Sequence, residues 1–211
     1  MKILLTGTTG YIAKRLALQL LEDNHELVCC VRDMERIPDE IEEHPRCKFI
    51  KVDFLKPESV EIPSDIEAAY YLIHSMSNSK NDFEKLERQC SQNFKELVNK
   101  TECNQVIYLS GIVNDDSLSK HLKSRLQVEN TLKSNDYALT TFRAGIIVGS
   151  GSASFEIIRD IVEKLPVMIT PKWLNTKTQP IGVRDVLTYL SNALGNKKLF
   201  DKSYDIFGPE I

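Results

Sequence analysis

The segment Thr6-Gly7-Thr8-Thr9-Gly10-Tyr11-Ile12-Ala13 holds the residue types and spacing best suited to chemistry. It follows a short apolar run and precedes a helical pattern. Gly7 permits a tight turn out of a strand. Gly10 lets the backbone approach a bulky anion, because no Cβ intervenes. Ala13, the third small position, allows the following helix to pack closely on a sheet. Free amides at that helix's N-terminus, together with the helix dipole, suit a phosphate group. The loop therefore has the form of a pyrophosphate cradle, with Gly7, Thr8, Thr9, Gly10, Tyr11 and Ile12 as its candidate contacts. Gly-x-x-Gly alone is a weak signal, and its place between a strand and a helix gives it force. The bland alternative is a glycine turn in a domain with no ligand.

A second candidate lies about twenty residues further on, where a dinucleotide motif places the group that reads the ribose. The run Leu27 to Val31 reads as a strand and exits into Arg32. A carboxylate at such an exit bonds a 2′-hydroxyl, and a cation suits a 2′-phosphate. The planar guanidinium of Arg32 can pair with phosphate and stack on adenine. Arg36 could add charge, while Asp33 argues the other way. The expected cofactor is NADP, with NAD as the alternative.

These residues need a scaffold, and the chain supplies one. Short apolar runs alternate with amphipathic stretches, the pattern of a parallel sheet with crossover helices. The expected strands are Lys2 to Thr6, Leu27 to Val31, Lys48 to Val52, Ala68 to Ile73, Gln105 to Leu109 and Ala138 to Phe142, with Ile146 to Val148 as a candidate resumption of the last. A final strand is expected at Tyr204 to Phe207. Helices are expected over Tyr11 to Leu21, Asp82 to Lys100, Leu118 to Lys133 and Ser154 to Leu165, with another starting near Val183. Asn24 is a left-handed stop for the first helix. The expected fold is α/β: a doubly wound parallel sheet with a small irregular C-terminal substrate-side region. His74 and Ser75 follow the fourth strand, where a polar pair can touch a ribose or simply satisfy the strand end.

The bulk composition narrows the function classes. The 211 residues, 42% apolar and 27% charged, suit one domain with a real core. The net charge of −3 gives no general pull on nucleic acid or an anionic membrane. The five cysteines are odd in number and lack Cys-x-x-Cys spacing. That argues against a disulfide framework and a zinc site, and for a reducing compartment. The four histidines have no ligand spacing, so no metal is expected. No apolar stretch approaches the ~20 residues of a membrane span, and Met1 to Leu5 lacks signal-peptide architecture. The expected location is the cytoplasm.

Thr-Gly-x-x-Gly-Tyr-Ile resembles the nucleotide loop of the extended and atypical short-chain dehydrogenase/reductases, including the NmrA-like group. The resemblance continues through Val31-Arg32-Asp33, Val52-Asp53-Phe54, Ile107-Tyr108-Leu109-Ser110-Gly111 and Gln179-Pro180-Ile181-Gly182-Val183-Arg184-Asp185-Val186. Tyr71 to Met76, His121 to Arg125 and Arg143 to Glu156 are similar to a bacterial subgroup of NAD(P)-binding proteins whose longer members carry an extra C-terminal domain. The resemblance implies a Rossmann domain over residues 1–211, with about 149–180 and 204–211 on the substrate side, as the N-terminal part of a longer protein. It also implies that Asp53 and Phe54 contact the adenine edge.

Active members of that family use serine, tyrosine and lysine, and the tyrosine exchanges the proton at the carbonyl oxygen. Ser110 stands where the resemblance places the serine. No tyrosine lies between Tyr108 and Tyr137, so Tyr-x-x-x-Lys is absent. His121-Leu122-Lys123-Ser124-Arg125 stands in its place. The spacing puts His121 and Arg125 on one helix face. A histidine can do acid–base work near neutral pH; a nearby arginine favours its neutral form. The expected catalytic group is Ser110, His121 and Arg125, and the bland alternative is a partly solvated helix face. Two functions follow: an NADP-dependent oxidoreductase on an unnamed small molecule, or a non-catalytic dinucleotide sensor that reports to a protein partner.

Overall fold

The computed structural model describes residues 1–57, 60–73, 83–112, 120–164 and 179–209. The chain runs β1 (Lys2–Leu5), α1 (Tyr11–Glu22), β2 (Glu26–Val31), α2 (Asp39–Glu42), β3 (Cys47–Lys51), β4 (Ala68–Tyr71), α3 (Phe83–Val98), β5 (Gln105–Gly111), α4 (Lys120–Leu132), β6 (Ala138–Ala144), β7 (Ile147–Val148), α5 (Ala153–Lys164), β8 (Ile181–Gly182), α6 (Val183–Ala193) and β9 (Lys202–Ile206). Seven strands form one sheet in the order β3-β2-β1-β4-β5-β6-β9. Each neighbouring pair is parallel. This is the doubly wound Rossmann-like α/β fold.

Strand alternation builds a core on each face. Ile3 and Leu5 point to one face and pack with α1 and α6 through Leu16, Leu20, Val186 and Leu190. Leu4 points to the other and joins Val28, Phe94, Val106, Tyr108 and Val128, from α3, α4 and their strands. The strands are apolar on both faces, as a sheet covered on both sides requires. After β1 the chain winds outward to β2 and β3, then crosses back to β4 on the other side of β1. That reversal opens a crevice at the C-terminal ends of β1 and β4, where doubly wound sheets bind ligands.

Element boundaries differ from the periodicity reading by a few residues. Asn24 has φ 63°, the left-handed stop expected there, and its side-chain oxygen accepts from Arg46 Nη1 at 2.8 Å. The sixth strand breaks at Gly145, where a Cβ would lie 2.8 Å from the Gln179 carbonyl oxygen. Beyond the break, β7 leaves the main sheet and pairs with β8. β8 has only two residues, too few for a periodic signal. The segment 204–211, expected on the substrate side, begins inside β9 at the sheet edge beside β6.

Candidate functional site

The loop from β1 to α1 sits at the crevice. Gly7 has φ +69°, and a Cβ there would lie 2.5 Å from the Leu72 carbonyl oxygen. The turn therefore needs glycine both for its conformation and for its contact with the chain leaving β4. Thr6 Oγ1 binds that same chain, donating to the Tyr70 carbonyl at 3.0 Å and accepting from the Leu72 N–H at 3.1 Å. The buried Thr8 hydroxyl points to the Leu5 carbonyl at 3.2 Å and the Cys30 carbonyl at 3.4 Å. Its side chain thus braces the loop and leaves the backbone to face the crevice. Thr9 and Gly10 are exposed. Gly10 is the N-cap of α1; no side chain caps the helix, and its first turn holds no acidic residue. Its amide end is therefore open to an anion. Ile12 packs on the core.

Tyr11 turns towards β7. The Arg15 guanidinium lies 4.0 Å from its ring centroid, and Arg15 Nη2 donates to the Ser150 carbonyl at 3.0 Å. A Cβ on Gly149 would fall 2.6 Å from the Tyr11 hydroxyl. The nucleotide loop and the segment after β7 are thus packed against each other, although they are far apart in sequence.

A cleft of about 170 Å³ runs from the glycine loop past Arg32 to Asp53 and Phe54. Arg32 is exposed at the exit of β2. Its acidic neighbour is engaged: the Glu35 N–H donates to Asp33 Oδ1 at 3.1 Å, capping a short 3₁₀ turn. Asp53 is likewise tied to backbone, accepting from the Leu55 N–H at 2.9 Å. Phe54 buries its ring against Phe94, and its carbonyl accepts from Asn93 Nδ2 at 2.7 Å. Two thiols not expected at the site, Cys30 and Cys90, also line the cleft. Burial pushes Cys30 up to about 12. Burial, reinforced by the Asp53 charge, pushes Cys90 up to about 11. His74 and Ser75 lie outside the described residues.

Ser110 ends β5 at the same edge of the sheet, two strands from the glycine loop. Its hydroxyl is buried and has no hydrogen-bond partner among the described residues. Arg125 is also buried: Nη1 lies 3.4 Å from the Tyr108 hydroxyl and 4.0 Å from Glu87 Oε1. Ser124 donates to Glu87 Oε2 at 2.6 Å. The structure thus brings Arg125 to Tyr108, two residues before Ser110 in β5, and adds Glu87 from α3. His121 lies in α4, with its side chain outside the described ones. A faint sequence signal marks Glu87: it falls on the buried stripe Glu87, Cys90, Phe94, Val98, where a lone acid needs a partner. Arg125 and Glu129 interrupt the stripe of α4 in the same way.

The cradle fits a dinucleotide: glycine where a Cβ would strike backbone, an uncapped helix end, and a cleft leading to a cation. Residues 7–151 match the family model described as NAD(P)H-binding. No curated protein matches by sequence. Among solved structures, UDP-glucuronic acid 4-epimerase from Bacillus cereus in complex with NAD is 21% identical, with TM-score 0.79 over 100% of this chain and 78% of that one. Gre2 from Candida albicans in complex with NADPH is 16% identical, with TM-score 0.80 over 98% and 78%. TunA, an NAD-dependent NDP-hexosamine 5,6-dehydratase, is 18% identical, with TM-score 0.72 over 99% and 76%. These identities speak for a shared fold. Glycine cradle, sheet order and the match across most of the chain agree: the protein belongs to the NAD(P)H-binding family and has a Rossmann-like fold.

Proposed function

We propose that the chain is an NADP-dependent oxidoreductase that interconverts a carbonyl compound and its alcohol. The observation that carries the cofactor choice is the state of the charges at the cleft. Arg32 is exposed at the ribose end, while the carboxylates of Asp33 and Asp53 are each engaged by a backbone N–H. In this reading the Gly7–Ile12 backbone holds the pyrophosphate and Arg32 the 2′-phosphate. Asp53 and Phe54 border the adenine, and His74 and Ser75 meet the nicotinamide ribose. Ser110 and His121 serve the substrate oxygen, and Arg125 supports them. The described cysteines are all free and buried, which suits a reducing, cytoplasmic setting. Among the described residues no helix is long and apolar enough to cross a membrane. Yeast Gre2, another fold neighbour, was solved with NADPH and is described as a methylglyoxal/isovaleraldehyde reductase, which favours a small carbonyl substrate.

The test is a titration of wild type and Arg32→Ala with NADPH and NADH. A charge-assisted contact contributes ~1.5–3 kcal/mol, so NADPH affinity is expected to fall about tenfold or more. NADH affinity should hardly move. Equal losses for both cofactors, or none for either, would refute the assignment. One observation favours a sensor instead: Arg125, four residues after His121, is already engaged by Glu87 and Tyr108 and so is not open to take the place of the family's lysine. Tight binding without turnover of any carbonyl would support that second reading.

A further inference from the structure

The phenol missing from α4 has a counterpart in β5. Tyr108 and Ser110 are two residues apart in one strand, so their side chains leave the same face. The Tyr108 hydroxyl is fully buried, 3.4 Å from Arg125 Nη1 and 3.5 Å from the Arg125 carbonyl oxygen. Burial pushes its pKa up, while the Arg125 charge and the Ser110 hydroxyl pull the other way. The Ser110 hydroxyl on that face is buried and has no hydrogen-bond partner among the described residues. Behind Arg125 stands Glu87, whose other carboxylate oxygen accepts from Ser124. A buried hydroxyl without a partner is costly. At the ligand-binding edge of a parallel sheet, a ligand oxygen would relieve that cost.

We propose that Ser110, Tyr108, Arg125 and Glu87 form one proton-supplying unit, in which Ser110 meets the oxygen of a carbonyl substrate and Tyr108 replaces the proton Ser110 gives up. This rests on the oxidoreductase reading above. When bound, NADPH supplies the hydride that reduces the carbonyl carbon and is itself oxidised to NADP. The carbonyl π pair moves onto oxygen, and that oxygen takes the proton of Ser110 Oγ. The serine oxygen takes the phenol proton of Tyr108. The phenolate faces the Arg125 guanidinium and, after the alcohol leaves, takes back the proton of Ser110, whose oxygen takes one from water in the vacated site. Ser110 is the catalytic residue of the unit. Tyr108 has no exposed surface with which to reach a substrate and acts through Ser110. Glu87 is a positioning residue that orients the guanidinium.

The unit is tested with Tyr108→Phe, Ser110→Ala, Arg125→Lys and Arg125→Gln in the full chain. Tyr108→Phe is close to isosteric, and Arg125→Lys keeps a cation beside Glu87, so these two remain informative if Arg125→Gln does not fold. In the protein without cofactor, 13C-labelled tyrosine reports the ring of Tyr108 directly. Ser110→Ala and Arg125→Lys are each expected to move that resonance. With NADPH and a panel of small aldehydes and ketones, Tyr108→Phe is expected to lower kcat by about 10²-fold or more, the scale of a lost acid–base group. KM and NADPH affinity should stay within about twofold, and Arg125→Lys should retain more kcat than Arg125→Gln wherever the latter folds. Binding and turnover that survive Tyr108→Phe would overturn this inference alone, as would a Tyr108 resonance blind to Ser110→Ala. Absence of NADPH binding by the wild type would overturn the oxidoreductase reading and this unit with it.

Discussion

Arg32 and Arg125 show how burial separates two arginines of the same formal charge. Arg32 stands in solvent at the strand exit, free to meet a phosphate, and Arg125 is locked between a carboxylate and a phenol. Breaking a buried pair from one side costs about 3–5 kcal/mol, because the remaining charge is stranded. Glu87 and Arg125 therefore serve stability as well as any chemistry. His121 is a different case, proposed as acid or base from its place in α4. If His121, rather than the Ser110–Tyr108 pair, supplies the proton, His121→Ala should lower kcat by ~10²–10⁴-fold while NADPH still binds. Rates of wild type and variant on the same carbonyl check this, and an unchanged kcat would return His121 to the helix surface. Ser110 was legible from its place at the end of a strand in a familiar pattern. Tyr108 was not, and Glu87 only faintly, as an acid on a buried helix stripe, because a buried polar residue gives no hint of its partner before the elements pack.

At the scale of elements, the sequence was most readable where periodicity runs longest. α1 and β2 emerge from their apolar spacing, and Gly7 and Asn24 punctuate them with the left-handed backbone their residue types favour. The pairing of β7 with β8 was not readable, since two-residue strands have no period and their register is set by the rest of the fold. Gly7 gives the sharpest element-scale expectation. A methyl group there meets the Leu72 carbonyl oxygen at 2.5 Å and forces a left-handed residue to carry a Cβ. The conformational cost alone is ~1–2 kcal/mol, and the contact adds to it. Gly7→Ala should therefore lower Tm by at least roughly 2–8 °C for a domain of this size. Thermal unfolding followed by circular dichroism checks it, and an unchanged Tm would mean that the β1–α1 turn tolerates a different path.

At the scale of the whole molecule, the two cores carry several buried phenols. Burial is the main cause that holds Tyr70, Tyr71, Tyr108 and Tyr137 above the ordinary tyrosine value. An unfolded tyrosine ionises near ~10. Because the folded pKa values lie higher, these residues leave stability unchanged below that pH and erode it as pH rises above it. Urea midpoints should accordingly be level between about pH 8 and 9 with respect to these groups and fall above about pH 10. A Tyr70→Phe variant, which removes one such group, should show a shallower fall. A midpoint that rises through the same range would contradict the burial of these rings.

In the proposed cofactor site, a nicotinamide dinucleotide lies on the β1–α1 loop, with its pyrophosphate against Gly10. Calorimetric titration of wild type and Gly10→Val with NADPH tests it most directly, with circular dichroism confirming that both are folded. The branched side chain would occupy the space the pyrophosphate needs. Wild type should bind, and the folded variant should show no measurable heat of binding; undiminished NADPH affinity in folded Gly10→Val would contradict the claim.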